Sequence, residues 1–341
     1  MKIFLCGNYK DNTGPSNVNS LLINNSDKKL IKINFKNRYL RHIEIIFNIL
    51  ISDITVFSGL ESRIIFHLKL AHLFKKKTIY LMHGCIEYEN EVNELNYDKT
   101  MLDLEKRVFK EIDLILCVSE IYMKWVLNRY PNLKGKIHFL NSGVDISKYK
   151  TLTNCKNIDI YRNIDISVAG GDRKQKNNEL ICQSIQNIEK KIKRKVVMAI
   201  YGRKYYQNNT FEKYPSILFK GYISQNKFYS ELLNSKIFIL NSTVESFGLS
   251  AIDALMSGCS ILISENSGVR SILKLEETDI IFANDDIDII SDKIIYLLNN
   301  PNNQRIIESI DINHNSWANV SERLLKISEA LYEGKNYSKI K

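Results

Sequence analysis

The chain of 341 residues (39.6 kDa) is longer than one small hydrophobic core requires, so we expect two domains. Its composition, with 44% hydrophobic and 25% charged residues, 14 glycines and 4 prolines, is typical of a globular protein and excludes fibrous and disordered classes. The longest apolar stretch, residues 43–51, contains Glu44 and Asn48 and is far shorter than the ~20 residues of a membrane span. We therefore expect a soluble protein.

The formal charge of +10 is concentrated in the first half of the chain. Residues 1–150 hold 23 Lys and Arg against 16 Asp and Glu (+7), whereas residues 151–341 hold 25 against 22 (+3). A basic half can meet nucleic acid, an anionic membrane surface or phosphorylated substrates, and charge alone does not separate these partners.

The N-terminus and the cysteines both predict a cytoplasmic protein. The apolar run at residues 1–6 is too short for the ~7–15-residue core of a signal peptide. Because no cysteines stand in C-x-x-C spacing, we expect reduced thiols buried in apolar runs rather than a metal site. The cysteines are Cys6, Cys85, Cys117, Cys155, Cys182 and Cys259.

Short apolar runs alternate with amphipathic segments, which is the pattern of parallel strands joined by helical crossovers. In the first half, strands are predicted over residues 2–6, 30–35, 54–58, 78–82, 114–118 and 137–140, and helices over 37–51, 60–75 and 102–112. The polar, aperiodic segment 145–163 predicts a linker. In the second half, strands are predicted over 165–168, 196–201, 217–220, 237–240 and 260–264, and helices over 178–191, 226–234, 248–257, 288–299 and 304–331.

This pattern predicts two Rossmann-like α/β domains, 1–150 and 151–303, followed by C-terminal helices in 304–341. Ligands of such folds bind beyond the carboxyl ends of the strands. We therefore expect the ligand site in a cleft between the two domains.

The most informative segment runs from residue 241 to residue 258. An apolar strand ends there, a polar turn presents Glu245, and a helix follows whose N-terminal N–H groups can receive anionic or hydroxylated ligand groups. Asp253 stands about two turns further on, so both carboxylates can line one edge of a cleft and bind a ligand rich in diols. In the alternative, Glu245 caps the helix and Asp253 is solvated, although an apolar helix argues that Asp253 has a partner.

This segment resembles the E-x7-E motif of the retaining GT-B glycosyltransferases of glycosyltransferase family 4. Asp253 stands where the family has its second Glu. The matching residues are Glu245, Phe247, Gly248, Leu249, Ala254 and Gly258.

The resemblance extends over nearly the whole chain. His83-Gly84 is similar to the His-Gly that the family has at a strand end. Glu105 with residues 113–119 resembles the family's E…D-x-I-x-x-x-S stretch, and residues 141–145 resemble its N-G-V-D signature. Residues 168–177 resemble the family's phosphate-binding loop, with Asn177 in place of the usual Gly. Gly14 lies in an N-terminal loop that matches the family weakly. The helix after Trp317 resembles the segment that packs back toward the first domain. The loop contributes Gly170, Gly171, Arg173, Lys174 and Lys176.

The resemblance implies a GT-B fold and a metal-independent transferase without a cofactor. It assigns Glu245 and the backbone of Ser246, Phe247, Gly248 and Leu249 to the donor sugar, and Asp253 to the ribose. Arg173 and Lys176, with Lys174, are placed at the leaving phosphates, where a cation is needed as charge develops. His83 is placed near the transferred sugar, and turns such as Gly202 near the base.

The implied activity is a retaining hexosyltransferase (EC 2.4 class). It moves a sugar from a nucleoside diphosphate sugar, UDP-sugar by preference, to a hydroxyl of a glycan or lipid-linked acceptor in surface polysaccharide, capsule or lipopolysaccharide biosynthesis. Two rival functions stay open: a non-catalytic GT-B subunit of a glycosylation complex, for which Asp253 and Asn177 argue, and a nucleic-acid binder, for which only the pI of about 9.1 argues.

Two further segments are ambiguous. Asp286-Ile287-Asp288 spells a D-x-D metal motif, but its position before a helix predicts a helix cap, and we expect no metal. The basic, aromatic stretch 28–42 continues into a helix with an apolar stripe, which favours peripheral contact with an anionic membrane at its cytoplasmic face. A solvated basic edge with the stripe buried in the core is the alternative. The stripe consists of Tyr39, Ile43, Ile46, Phe47 and Leu50.

Overall fold

A computed structural model describes residues 1–9, 11, 13–27, 29–145, 162–206 and 210–340. The chain forms two compact units, the first of residues 1–144 with 312–341 and the second of residues 145–311. The expected linker at 145–163, together with Cys155, lies almost wholly outside the described residues, as does Lys28 of the basic stretch.

The first unit contains a six-stranded parallel sheet in the order β2-β1-β3-β4-β5-β6. Its strands are nearly continuous apolar runs, as expected for a parallel sheet covered on both faces. The predicted strand at 30–35 is shorter than expected, since pairing ends at Ile31. The strands are β1 (Ile3–Cys6), β2 (Leu30–Ile31), β3 (Ile54–Ser58), β4 (Lys77–Met82), β5 (Leu114–Cys117) and β6 (Ile137–Phe139).

Seven helices are described in the first unit: α1 (Gly14–Asn24), α2 (Arg38–Ile51), α3 (Ile64–Leu73), α4 (Ile86–Asn93), α5 (Lys99–Glu111), α6 (Glu120–Arg129) and α12 (Trp317–Tyr332). The sequence pattern missed α1, α4 and α6. Their apolar residues are only weakly segregated to one side, unlike those of the predicted helices α2 and α5, so caps such as Thr13 and Ser119 carry more of the signal than periodicity.

The apolar stripe of α2 is not buried in the core, so that alternative is wrong. Helix α2 buries Ile45, Asn48 and Ile49 instead. The large side chains of the stripe that are exposed to solvent are Tyr39, Ile43, Phe47 and Leu50.

The second unit contains another six-stranded parallel sheet, in the order β12-β11-β10-β7-β8-β9. The strands are β7 (Ile164–Ala169), β8 (Met198–Tyr201), β9 (Ile217–Gly221), β10 (Ser235–Leu240), β11 (Ser260–Ser264) and β12 (Ile280–Ile281). The helices are α7 (Asn178–Ile192), α8 (Gln225–Leu233), α9 (Leu249–Met256), α10 (Ile287–Asn299) and α11 (Asn303–Ser309). In both units strands of a parallel sheet alternate with helices along the chain, which confirms the predicted α/β class.

The predicted C-terminal helical region 304–331 consists of two helices. Helix α11 lies in the second unit, whereas α12 lies in the first, where Ser321 Oγ on α12 donates to the Leu22 carbonyl at 3.0 Å. The polar segment between them cannot bury an apolar face, and Ser316 caps α12 by accepting from Asn319 N at 3.3 Å. The boundaries between the two units lie at 144/145 and 311/312, whereas the sequence predicted domain boundaries at 150/151 and 303/304.

The D-x-D sequence begins a helix, as predicted. Asp286 is the N-cap of α10, and its Oδ1 accepts from Ile289 N at 2.8 Å. Across the part of the chain that the structure describes, no three His, Cys, Asp or Glu residues are grouped as metal ligands. No described helix is both long and apolar enough to cross a membrane. The five described cysteines are buried free thiols.

A buried carboxylate anchors the start of the second sheet. Asp165 of β7 is 3% exposed, and its oxygens accept from Arg194, from Lys236 Nζ at 2.8 Å and from Val197 N at 3.1 Å. Burial acts to raise the pKa of Asp165, but these donors outweigh it and hold the pKa below its usual range.

We expect Asp165→Asn to lower the free energy of unfolding by about 1–3 kcal/mol at neutral pH, because buried charge-assisted hydrogen bonds are lost. Since the folded pKa lies below the unfolded one, this contribution is present above about pH 4 and is lost as the pH falls further. Denaturant titrations at neutral and acidic pH measure both effects. The exposed Asp288→Asn is the control, and a loss equal at both pH values would contradict the assignment.

Candidate functional site

The predicted phosphate and sugar loops lie at the carboxyl edge of the second sheet. Gly170 directly follows β7, Gly202 follows the neighbouring strand β8, and Glu245 follows β10 on the other side of β7. This edge is where open α/β sheets bind ligands, because the strand ends and helix N-termini converge there.

The loops after β7 and β8 touch through their backbones. Gly170 N and Gly171 N both donate to the Tyr201 carbonyl, at 2.8 and 2.9 Å. A Cβ on Gly171 would lie 2.0 Å from the Arg203 carbonyl oxygen, and one on Gly202 would lie 2.3 Å from Gly171 N. Only glycine permits this contact, since both residues also have positive φ.

The loop that carries Arg173, Lys174 and Lys176, which we call the basic loop, turns sharply before α7. Lys174–Lys176 form a single 3₁₀ turn, and Asn177 follows with φ of 48°, in the left-handed region. Asn is one of the few residues with a side chain that adopts this conformation readily. Asn177 can therefore occupy a left-handed position that otherwise favours glycine.

Hydrogen bonds from one buried glutamine join this loop to the turn that carries Glu245. The Gln175 carbonyl accepts from Thr243 N at 2.9 Å, and Gln175 Nε2 donates to the Val244 carbonyl at 2.8 Å. These hydrogen bonds hold the two loops, which are about seventy residues apart in sequence, in a fixed position relative to each other.

An ion pair connects the two loops at the centre of the site. Lys176 Nζ lies 2.5 Å from Glu245 Oε2, and the two side chains are only 13% and 14% exposed. Ser242 Oγ donates to the same carboxylate oxygen at 2.9 Å. Burial alone would raise the pKa of Glu245, but Lys176, Ser242 and the charge of Arg173 together keep the pKa below its usual value. Glu245 is therefore an ionised acceptor beside a cation.

Glu245 does not cap the helix that follows it, so the capping alternative is wrong. Helix α9 has Gly248 at its N-cap with no side-chain cap. The carbonyls of Glu245 and Phe247 accept instead from Gly268 N and Val269 N, which ties the turn to the segment after β11.

The residues Ser246 to Leu249 form the turn into α9. Phe247 is 2% exposed and packs in the core, so only its backbone is available to a ligand. Ser246 and Leu249 are half-buried. Gly248 has φ of 102°, and a Cβ there would lie 2.7 Å from Leu240 Cδ2, which requires glycine.

The other cations of the basic loop lie beside aromatic rings. The Arg173 guanidinium lies 5.8 Å from the Tyr205 ring centroid, and Lys174 Nζ lies 5.7 Å from that of Tyr206. Asp172 accepts from the backbone N–H groups of both tyrosines, at 2.7 and 3.1 Å. The anchored tyrosines orient the two cations by cation–π contact.

Asp253 has the partner that its apolar helix predicted. Its Oδ1 accepts from Tyr229 Oη at 2.6 Å, which links α9 to α8. Asp253 is half-buried, so it is not a freely solvated residue.

In the first unit, His83 follows β4 at the carboxyl edge of the sheet. Its Nε2 is 2.8 Å from Ser58 Oγ, at the end of β3. Burial lowers the pKa of His83 to about 4, so the imidazole is neutral at physiological pH. The buried Glu105 accepts from Ile86 N at 3.0 Å and from Glu87 N at 3.2 Å, which fixes the helix that begins just after His83.

Gly14 begins α1, where Thr13 and Ser16 form a capping box. A Cβ on Gly14 would meet nothing within 4 Å, so space is open around its α-carbon.

Sequence analysis missed the residues that position the predicted ones. Ser242 stands three residues before Glu245, a spacing that turn geometry could have indicated. Gln175 and Tyr229 bond to residues 69 and 24 positions away, and no local pattern reports such contacts.

Comparison with known proteins identifies the domain that carries these loops. Residues 161–311 match the family described as "Glycosyl transferases group 1", which comprises almost the whole second unit. No curated protein matches the sequence.

Solved structures share the fold over nearly the entire chain. HepE from Anabaena, solved with UDP and glucose, has a TM-score of 0.67 at 9% identity, covering 97% of this chain and 100% of that one. Sucrose-phosphate synthase from Thermosynechococcus elongatus has a TM-score of 0.67 at 14% identity, covering 98% and 100%. A TarM mutant from S. aureus, solved with UDP among other ligands, has a TM-score of 0.59 at 19% identity, covering 84% and 58%. The chain has the two-domain α/β GT-B fold.

We expect the His83 imidazole to stay neutral between about pH 5 and 8, because burial disfavours its charged form. Unfolded histidine titrates near 6.5, so the unfolded chain takes up the proton first and this group lowers stability as the pH falls from about 6.5 to about 4. Histidine NMR spectra, assigned with His83→Gln, measure the titration. A titration midpoint near 6.5 would contradict the prediction.

Proposed function

Since residues 161–311 carry a glycosyl transferases group 1 domain, we propose that this protein transfers a hexose from a UDP-sugar to a hydroxyl acceptor, with retention of configuration. The observation that carries the proposal is the pair of Lys176 and Glu245, held on two glycine-containing loops at the carboxyl edge of the sheet. HepE, which has the same fold, is solved with UDP-glucose.

Lys176 and Arg173 would receive the diphosphate. Negative charge grows on the leaving phosphate as the glycosidic bond breaks, and oriented cations lower the energy of that transition state. The glycine contacts bring the backbone close to the same space without side chains in between. Lys174 can add a third cation, and the proposal therefore needs no metal.

Glu245 would bind the donor sugar. It is ionised and lies beside Lys176, so it can accept hydrogen bonds from the sugar hydroxyls while the cation faces the phosphate. The N–H groups at the start of α9, from Ser246 to Leu249, supply donors on the same side. Asp253 would hold the ribose diol with the carboxylate that Tyr229 orients.

The acceptor would enter on the same face of the sugar as the leaving phosphate. A phosphate oxygen then takes the acceptor proton as the new glycosidic bond forms, which gives retention, and exclusion of water favours transfer over hydrolysis. His83, neutral and fixed by Ser58, would bind a sugar hydroxyl without competing for phosphate. We propose a growing surface glycan or its lipid-linked precursor as acceptor, bound by the basic first unit.

We expect Glu245→Gln and Lys176→Met each to reduce UDP release at least a hundredfold, because each removes a charge that acts on the reacting groups. Release is measured over a panel of UDP-sugars with and without membrane extract. Lys191→Met is the matched control, since that lysine forms an exposed ion pair with Asp292 in the same unit. Near-normal release by both site variants would overturn the mechanism.

Calorimetry with UDP separates the enzyme from a non-catalytic relative. The enzyme binds UDP, and a relative with a defunct donor site does not. Absence of UDP binding to the wild-type protein would therefore overturn the proposal.

We expect Asp253→Ala to weaken UDP binding about five- to tenfold, because one carboxylate that accepts the ribose hydroxyls is lost. Tyr229→Phe should weaken it less, since it removes only the group that orients the carboxylate. Calorimetry measures both, and Tm reports folding. A fall in Tm without any change in affinity would make Asp253 a purely structural contact between α8 and α9.

A further inference from the structure

We propose that α2 and α3 of the first unit form a face that docks on an anionic lipid bilayer. The face, which we call the α2–α3 face, consists of the exposed apolar residues Phe35, Tyr39, Leu40, Ile43, Phe47, Leu50, Ile51, Phe66, Leu73 and Phe74. This inference deepens the proposed function, since it names the surface at which a lipid-linked acceptor would be met.

Helix α2 has two apolar sides, and only one of them is used by the core. Ile45 and Ile49 are 2% and 0% exposed, whereas Tyr39, Ile43 and Phe47 are 74%, 63% and 58% exposed. The exposed residues recur every four positions and so form a stripe along one side of the helix. Packing within the unit accounts for the first side and leaves the second in water.

Helix α3 extends this apolar surface. Phe66 lies against α2, with its ring centroid 5.8 Å from that of His42. Phe66 and Leu73 are 52% and 75% exposed and two turns apart on the same side of α3. Eight large exposed apolar side chains in two adjacent helices, with Phe35 and Phe74 beside them, exceed what scattered surface residues explain.

The segment that carries the face has an excess of positive charge. Residues 32–76 contain eight Lys and Arg (Lys32, Lys36, Arg38, Arg41, Arg63, Lys69, Lys75 and Lys76) against three carboxylates, an excess of five. Each carboxylate already has partners. Glu44 accepts from Asn34 N and Phe35 N, Asp53 accepts from Lys2 N, and Glu61 pairs with Arg41.

A pocket between the two helices can bind an anionic group. Arg38, Arg41 and Arg63 line it together with His42 and His67, and Glu61 is the carboxylate among the lining residues that the structure describes. Arg41 is paired with Glu61, so Arg38 and Arg63 are the guanidinium groups of this lining that suit the phosphate of a lipid headgroup.

The apolar stripe and the excess of cations together favour a membrane rather than a protein as the partner of this face. Aromatic and aliphatic side chains on one side of a helix, with Lys and Arg beside them, are the composition of helices that lie in the plane of a lipid interface. Anionic headgroups complement the excess cations, while the apolar side chains enter the boundary of the acyl chains.

The test is co-sedimentation of the full chain with vesicles of phosphatidylcholine, with and without phosphatidylglycerol. We expect binding to the anionic vesicles that falls with added salt. The double variant Ile43→Asp/Phe47→Asp should lower partitioning about tenfold or more, through lost apolar burial. Arg38→Glu/Arg63→Glu should lower binding to anionic vesicles about tenfold or more, since each charge near the surface contributes about fivefold.

The matched control is Ile289→Asp/Tyr296→Asp on α10, where both side chains are also exposed, at 42% and 46%. This control should bind vesicles as the wild type does. Calorimetry measures UDP binding by every variant. UDP binding reports whether the second unit is folded and its donor site works, and it does so independently of vesicle binding. Equal vesicle binding by all variants would overturn the proposal. So would a lipid-free dimer that the Ile43→Asp/Phe47→Asp variant converts to a monomer without the wild type binding vesicles.

Discussion

The ion pair between Lys176 and Glu245 is the interaction on which the candidate site depends. Both side chains are largely withdrawn from water, so each would be costly to bury without the other. The pair is held in place because Gln175 joins the two loops through hydrogen bonds to the backbone of Thr243 and Val244. A charged pair held by rigid loops is pre-organised for a ligand that carries both hydroxyls and phosphates.

The two units share an architecture and differ in the chemistry of their sheet edges. The edge of the second sheet combines cations, an ionised carboxylate and helix N-termini, and suits a nucleotide sugar. The edge of the first sheet presents the neutral His83 fixed by Ser58, which suits uncharged hydroxyls. A transferase needs both kinds of surface, because its donor is strongly anionic and its reacting groups are not.

The α2–α3 face adds a spatial argument to the chemical one. An enzyme whose acceptor is held in a bilayer gains effective concentration when it binds the same surface. The cations in the pocket and the apolar stripe act on different parts of a lipid, the headgroup and the acyl chains. Their coincidence on one pair of helices fits a lipid-linked acceptor better than a free sugar.

The sequence by itself determined the α/β class, most strands and the loops that carry Glu245 and Lys176, because apolar periodicity, glycines and cap residues act over a few neighbouring positions. Only the tertiary structure decided that those loops meet, that Tyr229 is the partner of Asp253, and that the stripe of α2 faces water. The stripe shows the reason. Its pattern is equally compatible with core and membrane, since amphipathicity specifies that a helix has an apolar side and not what covers it.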